Sequence, residues 1–280
     1  MNGGKKVAIT VRGLQIGEVP RIVGVVTEPH IPDLIKARKH GADLVELRGD
    51  FFGDGIQGEF HRDDFEEISN RITRMGNEAA HLDLPTVLAI RSVDCGGNLK
   101  ITEEDRFDLF ERTMVAVDII DVELGSEIRE GIIDLVHGNG RPVILSYFDI
   151  FNTPNLDTLN SLLESAGRSQ GDIIKIAVHS DSEADVVDLF KAFLRFREAF
   201  PDKPIAAISM GIHGVLSRFV FPLYGSCLSY GYVTEPSAPG MPKLAILREV
   251  MNSLGSKKKE ARNVVDNWLQ SRRLISANAI

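Results

Sequence analysis

Short apolar runs alternate along the chain with longer stretches in which apolar residues recur every three or four positions. The runs cover 22–26, 44–47, 86–90, 119–124, 142–147, 173–178, 205–210 and 227–233, eight in all. They consist almost wholly of Val, Ile, Leu and Ala, as strands buried on both faces should. Between them, 32–40, 63–75, 103–118, 127–137, 158–166, 181–200 and 242–254 carry the helical period, as in Phe107, Phe110, Met114 and Val117. Gly41, Gly167 and Gly255 follow such stretches and read as C-terminal caps.

Strand–helix alternation implies parallel strands joined by right-handed crossovers. Eight repeats in 280 residues favour a closed (β/α)8 barrel over an open doubly wound sheet. The open sheet also lacks its motifs: no G-x-G-x-x-G follows the first strand, and there is no P-loop. The expected fold is an α/β TIM barrel over about 20–254, within a single domain spanning 1–280. Two segments fall outside the repeat. Positions 7–11 alternate as an extra strand, and 13–18 turn back from it, giving an N-terminal hairpin expected to close the bottom of the barrel. The tail, 255–280, runs from Ser256 on as SKKKEARN and reads as an extra C-terminal helix, amphipathic through Val264, Val265, Trp268 and Leu269.

Composition narrows the function classes. A hydrophobic content of 43% is ample for one barrel-sized core, and a net charge of −8 argues against bulk electrostatic binding of nucleic acid. Two cysteines, Cys95 and Cys227, are too few for a disulfide scaffold or a zinc module. No H-E-x-x-H or other metal spacing occurs. The first residues carry no apolar run of signal-peptide length, and no stretch approaches the roughly 20 apolar residues that span a bilayer. The expectation is a soluble cytoplasmic protein with neither nucleic acid nor membrane as partner, and without a metal site.

In a barrel of this kind, function gathers at the C-terminal ends of the strands. Lys175 stands out there, inside the apolar run DIIKIAV. A buried lysine either pairs with an acid or loses its proton, and a neutral amine attacks carbonyls. Lys175 is thus either a Schiff-base nucleophile or one half of a structural ion pair. Glu46 and Arg48 alternate on one face of the second strand, with Arg91 at the end of the third. These three either fill the barrel with salt bridges or bind hydroxyls and a carboxylate, for which the arginine fork is suited. Arg218, beyond a Gly-rich turn, is either an anion clamp or a surface arginine. His179 and His213 lie near the mouth and read as loop residues before catalysts.

The segments DLVELRGDFF, SYFDIFNTP, DIIKIAV, ISMGIHGVLSRFVFPLYGS and EPSAPG occur in this order. Together they resemble the type I 3-dehydroquinate dehydratase family from about Val7 to about Leu254. The resemblance implies a TIM barrel of the shikimate pathway, acting without cofactor on a small cyclic keto-acid, and paired as a homodimer. It makes Lys175 the imine-forming lysine. Glu46, Arg48 and Arg91 then hold substrate hydroxyls, and Arg218 holds the carboxylate. Ser237 and Ala238 belong to a flap that closes over the substrate. Met210 and Tyr230 form apolar walls, although the family usually has Phe at the latter position.

Three positions depart from the family pattern. Phe148 stands where the family has its acid/base histidine, Cys95 where it has the glutamate orienting that histidine, and Met241 where it has a substrate-binding glutamine. The resemblance therefore implies dehydration of 3-dehydroquinate without the usual proton-transfer pair. It leaves open a different lysine-imine reaction on a related keto-acid, or a relative that binds such a metabolite without turning it over.

Overall fold

The computed structural model describes residues 9–17, 19–53 and 60–277, with side chains described as far as 263. The eight apolar runs become strands β3 (Arg21–Val26), β4 (Leu44–Arg48), β5 (Thr86–Ala89), β6 (Ile119–Glu123), β7 (Val143–Asp149), β8 (Ile173–His179), β9 (Ile205–Met210) and β10 (Leu228–Tyr232). They pair in parallel, in the order β10-β3-β4-β5-β6-β7-β8-β9. The ends of this order meet at the start of β10. There Cys227 N donates to Ile205 O at 2.8 Å, and Ala207 N donates to Ser226 Oγ at 3.0 Å. The sheet thus curls into the expected barrel.

A shorter pair, β1 (Ile9–Val11) and β2 (Leu14–Ile16), forms the antiparallel hairpin. Its Val11 and Ile16 are buried among Val23, Leu44, Val87, Ile119, Ile144, Ile173, Ala206 and Leu228, the lowest inward residues of the barrel strands. The hairpin is therefore the floor of the barrel. Val7 and Glu18, which the sequence reading placed in it, lie outside the described residues, as do the side chains of Val264, Val265, Trp268 and Leu269. A second apolar layer fills the space between strands and surrounding helices, through residues such as Leu34, Ile68, Phe110, Ile133, Leu159 and Phe193.

The helices are α1 (Ile31–Lys39), α2 (Arg62–His81), α3 (Glu103–Thr113), α4 (Arg129–Gly138), α5 (Leu156–Arg168), α6 (Glu183–Ala199), α7 (Gly211–Gly214), α8 (Ser217–Val220) and α9 (Leu244–Ala277). No helix among the described residues is long and apolar enough to cross a membrane.

Several boundaries correct the sequence reading. Helix α2 runs past Gly76, because a Cβ there would sit 2.2 Å from Ala116 O. The glycine permits close packing and does not end the helix. Helix α3 stops at Thr113, followed by a short 3-10 turn, Met114–Ala116, that leads into β6. Gly255 caps nothing: the expected helix at 242–254 and the expected separate tail helix are one continuous 34-residue α9. Helices α7 and α8, four residues each, are too short to show a period and were read only as a turn.

Candidate active site

Strand alternation aims a column of side chains into the lumen. Above the apolar floor the column turns polar: Glu46 and Arg48 from β4, Asp121 and Glu123 from β6, Ser146 from β7 and Lys175 from β8, all buried. Ser146 lies opposite Lys175 in the β7–β8 pairing. Lys175 Nζ donates to Glu46 Oε2 at 2.9 Å and to Asp121 Oδ2 at 3.0 Å. Of the two outcomes open to a buried lysine, this one pairs with acids.

Arg91, just beyond β5, extends the network. It donates to Asp121 Oδ2 and to Ser146 Oγ, each at 2.6 Å, while Ser146 Oγ donates to Asp121 Oδ1 at 2.6 Å. Glu123 lies 3.6 Å from Arg91 and accepts from Arg106 Nη1 at 2.9 Å. Burial alone would raise the Asp121 carboxyl, but Arg91, Lys175 and the Ser146 bond outweigh it and hold the group below its usual range. Arg48 forms a two-pronged pair with Asp50, at 2.9 and 2.7 Å, and its guanidinium lies 4.8 Å from the centre of the Phe51 ring. Burial works against the Arg48 charge, and Asp50 more than restores it.

Arg218 differs from these cations. It sits on α8, which Ser217 ties to β9: Ser217 Oγ accepts from Ser209 N at 2.9 Å and donates to Ser209 O at 3.0 Å. The Arg218 side chain is buried, yet among the described residues it has no carboxylate within salt-bridge reach, and its Nε has no hydrogen-bond partner. Burial pulls its pKa down to about 10, against weak opposing pulls from Tyr230 and Glu46. A buried guanidinium without an anion is costly, and an incoming carboxylate would satisfy it.

These groups converge on one narrow cavity of about 20 Å³, lined by Glu46, Arg48, Arg91, Phe148, Lys175, Ala177, Ile208, Met210, Arg218, Tyr230, Ser237, Ala238 and Met241. Every substrate-binding position inferred from the sequence lines it, together with Lys175 and two of the three altered positions. Ser237 and Ala238 are half-buried at its mouth. Phe148 puts its ring 5.2 Å from the Arg91 guanidinium.

Cys95 does not line the cavity. It ends a 3-10 turn after β5, and burial, with a smaller push from Glu123, raises its thiol against the pull of its Ser92 bond and Arg91. His179 lies 3.4 Å from Asp181 and His213 lies 3.1 Å from Glu183, and neither lines the cavity.

Asp121 and Glu123 fall inside the run 119–124 and Ser146 inside 142–147, runs the sequence reading took as strands without giving any of the three a site role. The signal was the period of two: Ser146 precedes the altered Phe148 by two positions, and Asp121 precedes Glu123 by two. Asp50 was missed too, because its role appears only once it is seen folding back onto Arg48.

A family model described as type I 3-dehydroquinase matches residues 21–258. A 3-dehydroquinate dehydratase of Methanococcoides burtonii is 30% identical over 239 residues, covering 85% of this chain and 95% of that protein. One from Salmonella typhimurium is 31% identical over 255 residues, covering 88% and 98%. Among solved structures, a 3-dehydroquinate dehydratase from Geobacillus kaustophilus superposes with a TM-score of 0.80 at 27% identity, over 91% of this chain and 99% of that one. A type I enzyme from Clostridium difficile, crystallised with covalent modified comenic acid, gives 0.79 at 28% identity, over 91% and 100%.

Proposed function

The chain belongs to the type I 3-dehydroquinase family, and from that premise we propose that it dehydrates 3-dehydroquinate to 3-dehydroshikimate through an imine on Lys175. The observation that carries this reading is the pairing, in one buried cavity, of an amine with a guanidinium that lacks an anion, Lys175 with Arg218. A keto-acid satisfies both at once. Its carboxylate neutralises Arg218 while its ketone reaches Nζ. The covalently modified ligand of the Clostridium difficile relative supports a covalent step.

The ammonium of Lys175 gives up a proton to Glu46 or Asp121, at 2.9 and 3.0 Å, and the freed amine attacks the ketone carbon. The C–N bond forms and the carbonyl oxygen leaves as water. The imine then draws electrons from the adjacent carbon, which loses a proton. The hydroxyl one carbon further leaves as water, and hydrolysis of the imine returns the amine and the enone. Glu46, Arg48 and Arg91 hold substrate hydroxyls in this scheme, Ser237 and Ala238 close the mouth, and Met210 packs against the ring.

Elimination needs a base, and Phe148 supplies none. A positioned general acid/base is worth about 10²–10⁴-fold, so turnover is expected to be slow. The two apolar side chains at altered positions, Phe148 and Met241, favour a second reading, a different lysine-imine reaction on a less polar cyclic keto-acid.

The two readings part in one experiment: incubation with 3-dehydroquinate, reduction with borohydride and measurement of the intact mass, with Lys175→Ala as control. A dehydratase gives an adduct that has lost the hydroxyl as water, absent from the variant. An adduct that retains the hydroxyl moves the assignment to the second reading. No adduct on the folded parent protein would sink 3-dehydroquinate as substrate.

A further inference from the structure

As a wall, Tyr230 is oddly chosen. It lines the cavity, is 2% exposed, and lies 4.2 Å, centroid to Nζ, from Lys175. Its ring therefore borders the place where the imine forms. Its Oη is buried and has no hydrogen-bond partner among the described residues. A phenylalanine would give the same apolar surface and the same cation–π contact, without the cost of burying an unpaired O–H. Among the described residues that line the cavity, two carry a buried polar side-chain atom without a partner, Tyr230 at this hydroxyl and Arg218 at Nε. The second has a ready use in holding the carboxylate, and the first is carried by the ring that Lys175 Nζ overlies.

The hydroxyl is also in the right state to donate. Burial, reinforced by Glu46 and Asp121, keeps the phenol protonated well beyond its ordinary range. Among the described residues, no histidine lines the cavity to serve in its place.

We propose that the Tyr230 hydroxyl donates a hydrogen bond to the ketone oxygen while Lys175 Nζ attacks the carbonyl carbon, an inference that rests on the imine reading above. As the C–N bond forms, the carbonyl π electrons move onto oxygen, and a fixed donor stabilises the charge that develops there. The protons balance without consuming the phenol's own. The ammonium nitrogen starts with three hydrogens and the iminium keeps one. The other two leave in the water that carries off the ketone oxygen, with Glu46 and Asp121 in reach to pass them on. Tyr230 ends the step as it began.

Tyr230→Phe is the test, because it keeps the ring and removes only the hydroxyl. Parent and variant are mixed with 3-dehydroquinate and quenched with borohydride at a series of times and substrate concentrations. Adduct is read by intact mass, and each protein is also melted without substrate. The variant is expected to form adduct about 10²-fold more slowly at saturation. Its half-saturating concentration should be little changed, because Arg218 still holds the carboxylate. Its melting temperature should be unchanged or higher, because an unpaired buried O–H is gone. A tyrosine with only a structural role would lower the melting temperature and leave the rate alone. If the parent reacts and the variant keeps pace, this inference falls and the imine reading stands. If the parent forms no adduct, both fall.

Discussion

In the lumen and the α3 residues that adjoin it, charge is matched residue by residue until Arg218 is reached. Lys175 has Glu46 and Asp121, Arg91 has Asp121 and Glu123, Arg106 has Glu123 and Glu103, and Arg48 has Asp50. Asp121 is the node, since it touches both Lys175 and Arg91. Removing one partner of a buried network leaves charge uncompensated, so Asp121→Asn is expected to cost about 3 kcal/mol at pH 7. The folded Asp121 carboxyl binds its proton more weakly than the unfolded one. Its contribution is therefore complete above the unfolded value of about 3.9 and is lost as pH falls through the lower folded value. Thermal melts of parent and variant should accordingly converge as pH drops below about 4. A gap that stays constant down to pH 2.5 would show that Asp121 is not held ionised by its neighbours.

The same residues mark what a sequence does and does not disclose. Glu46, Arg48, Arg91 and Lys175 were legible because charged groups in or just beyond apolar strands are conspicuous, and Arg218 through the segment that carries the family resemblance. Asp121 and Ser146 gain their roles only from the neighbours across β6, β7 and β8, which no linear spacing displays. Tyr230 read as a wall because its missing partner is a property of the fold.

At the scale of elements, the strands were read closely, because burial on both faces leaves a continuous apolar signature. Helix ends were read less well, because glycine has two uses that look alike in a sequence. It can end a helix, or it can let another chain segment come close. Gly76 does the second against the Ala116 carbonyl, and Gly255, inside α9, faces open space. The two should respond oppositely to the same added methyl group. Gly255→Ala should raise stability by about 0.5–1 kcal/mol through better helix propensity. Gly76→Ala should lower it, by about 1–3 kcal/mol, because a Cβ 2.2 Å from a carbonyl oxygen forces backbone to move. Melting curves of the two variants check both directions, and a loss at Gly255 would mean that α9 is not continuous there. The short α7 and α8 escaped notice for another reason: four residues make barely one turn, yet α8 is what brings Arg218 to the cavity.

For the molecule as a whole, the repeat count carried the architecture, since eight strand–helix units leave little choice but closure. Net charge was a poorer guide. A chain at −8 still buries one guanidinium, Arg218, that has no carboxylate within salt-bridge reach among the described residues, so its anion-seeking group is invisible to composition. The barrel divides its tasks by height. The apolar floor, with Val11 and Ile16, contributes burial, and the polar upper layer contributes chemistry.

Because that floor is stoppered, the barrel is a blind alley for traffic. On the function proposed above, a keto-acid entering past Ser237 and Ala238 would find no lower exit among the described residues, and its product would return the way it came. Arrival and departure then compete for a single doorway. The product should act as a competitive inhibitor, its effect abolished by enough substrate, because both fill the same dead-end cavity, whereas a noncompetitive pattern would require a second binding site outside it.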